Sequence, residues 1–69
     1  MVEVFKTNVD RSELADQVIL RLRVHFPSSK INFDLEDCDK ILRIEDQEVC
    51  SDTIIDLLKT SGVECEALN

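Results

Sequence analysis

Residues 31–45, INFDLEDCDKILRIE, determine the fold of this 69-residue chain. The first six of them alternate apolar with polar side chains, and this period of two predicts a strand that is buried on one face. The acids around Cys38 are typical of a turn, after which alternation resumes with Leu42 and Ile44 on one side. The segment is therefore predicted to form a β-hairpin.

A helix is predicted before the hairpin. Residues 11–26 carry apolar side chains at every fourth position, which is close to the helical period. Asp10, followed three residues later by Glu13, predicts a capping box at the start of this helix. Pro27 ends it, because proline disfavours helical geometry in the preceding residue and has no N–H to donate.

A second helix is predicted after the hairpin. Ser51 is the expected cap, and the apolar residues within 54–58 supply a wide buried face. Gly62, the only glycine of the chain, stands where a left-handed residue usually ends a helix. Residues 63–67 alternate again, which predicts a short last strand with Cys65 on its buried side.

The predicted order of elements is strand, helix, strand, strand, helix, strand, because the chain also opens with a strand-like pattern at Val2 and Val4. Sixty-nine residues allow one small core, so we expect a single domain over residues 1–69. Two right-handed strand-helix-strand units that share one sheet give an α+β, ferredoxin-like βαββαβ fold. Both helices then cover one face of a four-stranded antiparallel sheet, and the other face is open to solvent.

Charge and hydropathy exclude several classes of partner. Fifteen acidic residues against eight Lys and Arg give a formal net charge of −7, which disfavours nucleic acid because phosphates are repelled. The uninterrupted apolar runs reach three residues, far short of the roughly 20 that a membrane-spanning helix needs. The start of the sequence has no export signal pattern, so we expect a soluble, cytoplasmic protein with no membrane partner.

The three cysteines, Cys38, Cys50 and Cys65, are too few and too widely spaced for a disulfide framework or a paired zinc knuckle. Free thiols in a reducing compartment are expected. A site formed by these thiols together with His25 is numerically allowed, but metal sites of that type normally place two ligands within one short turn. No resident cofactor or metal is therefore expected. His25, at the end of the first helix, is interpreted as a favourable charge at the negative helix terminus.

The order and spacing of these elements resemble the heavy-metal-associated domain, the fold of copper chaperones and of the amino-terminal modules of metal-pumping ATPases. The likeness is best in the second half, where 31–36, 41–44 and 54–65 look like the two middle strands, second helix and last strand of that family. The family's specific feature is a Met-x-Cys-x-x-Cys loop between the first strand and first helix, whose two thiolates bind a soft ion such as Cu(I). Here Val9 and Ser12 stand at the two cysteine positions, so the resemblance does not carry metal transfer over to them.

The open sheet face is the candidate interaction site. If Val2 and Val4 face the helices, Phe5 points to the open side and lies beside Ile41 and Arg43 of the third strand. An exposed apolar spot with a charged rim is typical of a partner surface. We therefore expect Phe5, Ile41 and Arg43 to contact a protein partner or a second copy of the chain.

No catalytic or phosphate-binding constellation is present in the sequence, so no enzyme activity is expected. The leading hypothesis is a non-catalytic, protein-binding module that has lost its metal loop. Two alternatives stay open. One is a Cu or Zn carrier that uses the cysteines at an atypical site, and the other is a small-molecule-sensing regulatory domain, which rests on fold analogy.

Overall fold

The computed structural model describes residues 1–68 and contains six elements in the predicted order. They are β1 (Val2–Thr7), α1 (Ser12–His25), β2 (Lys30–Asp34), β3 (Ile41–Glu45), α2 (Ser51–Thr60) and β4 (Cys65–Leu68). Neither of the two helices in this part of the chain is long and apolar enough to cross a membrane.

The four strands form one antiparallel sheet in the order β2-β3-β1-β4. The predicted hairpin is present, with Ile31 opposite Ile44 and Phe33 opposite Leu42. The central pair joins β3 to β1 and places Phe5 opposite Leu42, while β4 adds to the other edge of β1. Both helices pack on one face of this sheet, so the ferredoxin-like fold class is confirmed.

The hydrophobic core lies between the sheet and the two helices. The helices contribute the predicted stripes, which include Val18 and Leu22 of α1 and Ile54 and Leu58 of α2, all at most 1% exposed. The sheet contributes the side chains that face the helices, and its largest fully buried members are Phe5, Leu42 and Ile44. Burial of these side chains provides the main stabilising free energy of the domain.

The predicted facing of β1 is wrong. Phe5 is 0% exposed and shares the helix side of the sheet with its cross-strand neighbour Leu42, whereas Val2 is 52% exposed on the opposite side. Glu3 confirms this orientation, because its carboxylate accepts a hydrogen bond from the hydroxyl of Ser51 in α2 at 3.2 Å. A strand whose facing shifts by one residue exchanges its buried and exposed sets completely.

The two helix starts also differ from the prediction. The cap of α1 is Arg11 and that of α2 is Cys50, and neither makes a side-chain capping hydrogen bond. Asp10 therefore does not form the predicted capping box, and the hydroxyl of Ser51 is used for Glu3 instead. Each helix nevertheless has an acidic residue in its first turn, which favours the positive end of the helix dipole.

The predicted end of α2 is confirmed. Gly62 has a φ of 78°, its N–H donates to the carbonyl of Lys59 at 3.0 Å, and the N–H of Val63 donates to Leu58 at 2.9 Å. These two bonds define a Schellman motif, which satisfies two of the free carbonyls at the end of the helix. The motif turns the chain so that Val63, 1% exposed, enters the core before β4 begins.

Candidate interaction surface

The connection between β1 and α1, which carries the metal loop in heavy-metal-associated domains, packs against the hydrophobic core in this chain. Val9 is 0% exposed and belongs to the hydrophobic core. The hydroxyl of Thr7 accepts a hydrogen bond from the N–H of Val9 at 3.2 Å and donates to the carbonyl of Lys40 at 2.6 Å. The connection is thereby tied to the β2–β3 hairpin.

Asn8 ties the same connection to the turn between α2 and β4. Its backbone N–H donates to the carbonyl of Glu64 at 3.2 Å, and its side-chain oxygen accepts from the N–H of Glu64 at 3.1 Å. No cysteine precedes Cys38 in the sequence, so no alignment of this connection places a thiol in it. The connection contains hydrogen-bonded backbone and a buried valine, whereas the corresponding loop of heavy-metal-associated domains contains two thiolates.

The three free cysteines are divided between the two ends of the sheet. Cys65 begins β4 opposite Thr7, at the end of β1 that is tied to the hairpin containing Cys38. Cys50 instead borders a depression together with Met1 and Phe26, at the other end of β1. A strand of six residues spans about 20 Å, so Cys50 cannot share one ion with Cys65.

The thiols also differ in their chemistry. Cys50 is exposed, and the backbone N–H and hydroxyl of Thr53 favour its thiolate, which lowers the pKa of Cys50. Cys65 is half-buried, and this burial raises the pKa of its thiol. Cys50 is therefore the more nucleophilic of the two.

One group of metal-capable side chains occurs within residues 1–68, namely Asp37, Cys38 and Asp39 at the hairpin turn, whose ligand atoms lie within 4.8 Å of one another. Both carboxylates already have roles in the turn. Asp37 accepts a hydrogen bond from the N–H of Asp39 at 2.9 Å, and Asp39 lies 3.8 Å from the ammonium of Lys6. These contacts are typical of an exposed turn and explain why the three side chains lie close together.

A wide groove of about 610 Å³ lies at the end of the sheet where Met1 is located. Phe26 and Lys30 line it together with Asp46, whose carboxylate accepts a hydrogen bond from the buried hydroxyl of Ser29. This bond, together with the backbone N–H of Gln47, lowers the pKa of Asp46. The polar groups here join the α1–β2 connection to the residues that follow β3.

The sheet face away from the helices is electrically neutral. Alternation along the strands places three basic and three acidic side chains on it. They are Lys6, Lys30, Arg43, Asp34, Glu45 and Glu66. Since the whole chain carries −7, the remaining surface holds all of the excess negative charge.

An apolar strip runs through this neutral face. Val4 lies directly between Arg43 of β3 and Leu68 of β4, and Val2 and Leu68 are 52% and 36% exposed. We call the apolar strip and its six charged neighbours the open face. Of the predicted site residues, Arg43 is exposed here and Ile41 lies on the same side but is only 9% exposed, opposite Asp34.

Of the three residues predicted to contact a partner, Phe5 is therefore wrong. Phe5 is in the core, and Val2 and Val4 take its place on the open face. Side-chain size could have indicated which face of β1 is buried, because a phenylalanine buries more apolar area than a valine. Leu68 was missed because the last strand was predicted to end at Ala67.

Solved structures of copper-handling and gold-binding proteins share this fold. The yeast copper transporter domain Ccc2a superposes with a TM-score of 0.81 at 20% identity, over 99% of this chain and 94% of that domain. A gold binding protein gives 0.84 at 12% identity, and the copper-trafficking protein Atx1 gives 0.73 at 14%, each over 96% of this chain and 98% of the other.

Comparison of sequences finds no match. No protein-family model matches the chain, and no curated protein is similar enough in sequence to be matched to it. The resemblance to heavy-metal-associated domains is thus confirmed for the fold. At 12 to 20% identity the likeness does not extend to the activity of those proteins.

Proposed function

We propose that this chain is a non-catalytic interaction module that keeps the copper-chaperone fold without its metal loop and binds a protein partner through the open face. The observation that carries the proposal is the contrast between that face and the rest of the surface. An apolar strip flanked by balanced charges lies on a molecule of net charge −7. An apolar centre with a polar rim is typical of protein interfaces.

The charge distribution also indicates which chemical groups the contact surface of the partner needs. An acidic partner is repelled from the surfaces that hold the excess of acids, whereas the balanced charges of the open face cause no such local repulsion. Complementary contact requires an apolar centre that covers Val4 and Leu68, with an acid placed against Arg43. We expect this contact to be non-covalent and to need no metal.

The closed connection between β1 and α1 supports the metal-free part of the proposal. Val9 contributes to the core, and Thr7 and Asn8 hold the chain against its neighbours. A soft ion requires exposed sulfur ligands that converge on one point. The competing proposal is a copper or zinc carrier that uses Cys38 or Cys65, and it is motivated by the fold likeness to copper proteins.

Affinity capture from the source cells tests the interaction directly. The expected result is one partner that is enriched on the wild-type chain and lost with Arg43→Glu and with Val4→Glu. Lys59→Glu is the matched control, because it reverses the same charge at an exposed position of α2. Amide NMR with the purified partner should then shift resonances of the open face. Equal capture by all variants, or shifts confined to other surfaces, would exclude the open face as the contact.

A further inference from the structure

The solvent-facing side of α1 exposes two large aliphatic side chains. Leu20 is 66% exposed and Val24 is 79% exposed, and residues four apart lie on the same ridge of a helix. The exposed positions of α2, in contrast, are all polar. Single exposed aliphatic residues are common, but two neighbours on one ridge form a continuous apolar patch.

The charges of α1 are separated along its length. Glu13 and Asp16 lie in its first half, and Arg21 and Arg23 lie in its second half, so the helix as a whole is neutral. Residues 17–33 contain no acid, although the chain has fifteen. A neutral helix with one acidic and one basic half is complementary to itself when two copies run in opposite directions.

We propose that two copies of this chain pair through α1 in an antiparallel, two-fold symmetric arrangement centred on Leu20. The symmetry places Leu20 against the partner's Leu20. Asp16 precedes Leu20 by four residues and Arg23 follows it by three, so Asp16 of each copy lies beside the partner's Arg23. Every contact occurs twice, as in an isologous interface.

Charge selects this arrangement over the alternatives. A parallel pairing brings the acidic halves together and the basic halves together, and like charges in contact are destabilising. The antiparallel pairing also opposes the two helix dipoles. The surfaces outside α1 and the open face hold the excess of acids and repel each other, so they are disfavoured as contacts between copies.

The size of the surface predicts a weak dimer. A contact made by one helix from each copy buries less than the roughly 1,200 Å² that is typical of stable complexes. The two copies therefore associate reversibly and separate on dilution. This pairing does not use the open face, which leaves that face free for the partner proposed above.

Sedimentation velocity over a concentration series from about 10 μM to about 1 mM tests the pairing. The expected result is a dimer fraction that rises with concentration and a dissociation constant that increases at least about tenfold in the Leu20→Gln, Val24→Gln double variant. Both positions are exposed and glutamine is a good helix former, so the fold is retained, as circular dichroism checks. Val2→Gln is the matched control, since it makes the same kind of change on the open face and should leave the dimer unchanged.

Charge reversal tests the antiparallel geometry. Asp16→Arg and Arg23→Glu should each weaken the dimer, because each places like charges opposite one another. An equimolar mixture of these two variants should pair again, since both opposed positions then carry opposite charges. A protein that stays monomeric throughout the series overturns the proposal. So does a dimer that is insensitive to the Leu20 and Val24 changes, a dimer lost with Val2→Gln, or a mixture that fails to pair.

Discussion

At the scale of single residues, Cys50 and Cys65 have opposite environments and should react at different rates. Cys50 is exposed beside donors from Thr53 that lower its pKa, and burial raises the pKa of Cys65. Because the thiolate is the reacting species, iodoacetamide near pH 7.5 should modify Cys50 well before Cys65. Timed mass spectrometry of the digested protein measures both rates. Equal rates in the folded protein would contradict the assigned environments, and unfolded protein provides the reference in which they converge.

The hydrogen bond between Ser29 and Asp46 should make stability depend on pH in acid. The Ser29 hydroxyl is the largest cause of the lowered pKa of Asp46. A carboxyl whose pKa falls on folding stabilises the protein above its unfolded pKa, and this stabilisation is lost as pH falls through the folded value. We expect Ser29→Ala to lower the melting temperature at pH 6, and the difference from wild type to shrink below about pH 3.8. A difference that is constant from pH 6 to pH 2.5 would show that the charged form of Asp46 is not involved.

At the scale of secondary structure elements, the end of α2 depends on the left-handed backbone of Gly62. A Cβ at this position meets nothing within 4 Å, so the cost of substitution is backbone strain alone. Gly62→Ala should destabilise the domain by about 1 kcal/mol, which corresponds to roughly 4–8 °C in melting temperature for a domain of this size. Ser61→Ala, next to it at φ −94°, is the control and should have little effect. Equal shifts for the two variants would argue against the Schellman motif.

The orientation of β1 predicts that substitutions at two positions of this strand, one on each face of the sheet, differ greatly in their cost. Phe5→Ala removes a fully buried ring and should cost about 3–5 kcal/mol, enough to unfold much of a small domain. Val2→Ala, on the open face, should cost less than about 1 kcal/mol. Urea denaturation followed by circular dichroism gives both values. A small loss of stability for Phe5→Ala together with a large loss for Val2→Ala would contradict this orientation and support the one expected from the sequence.

The elements themselves were predictable because their signals are local. The alternation over 31–45 and the apolar residue at every fourth position of 11–26 depend only on which side chains are apolar. The predicted hairpin and the predicted first helix are both present. Gly62 was predictable for the same reason, since its conformation is a property of one residue. The start of α2 was not predictable in the same way. The hydroxyl of Ser51 donates a hydrogen bond to Glu3, which lies 48 residues earlier in the chain, and does not cap the helix.

The facing of β1 was not predictable from alternation, because both of its faces carry apolar residues. Val2 and Val4 lie on one side and Phe5 on the other, and the pairing of Phe5 with Leu42 decides which side is buried. That pairing is a tertiary contact between distant parts of the chain. The apolar strip of the open face also needs Leu68, so the candidate site is assembled only when β4 pairs with β1.

At the scale of the whole molecule, the charge pattern separates three surfaces. The open face and α1 are each neutral, and the excess of acids lies on the remaining surface. Such segregation orients an approaching partner before contact. It is the basis of the two proposals, a protein partner on the sheet and a second copy on the helix.

The proposed function needs no metal ion, although the fold is shared with copper-handling proteins. An anaerobic titration of the fully reduced protein with Cu(I), in the presence of a competing chelator and followed by backbone amide NMR, tests it most directly. We expect the chelator to keep the copper and the resonances of residues 8–12 and of the three cysteines to stay unshifted. Tight one-to-one binding of Cu(I), with shifts at Cys38 or Cys65, would contradict the metal-free proposal and establish the chain as a metal carrier.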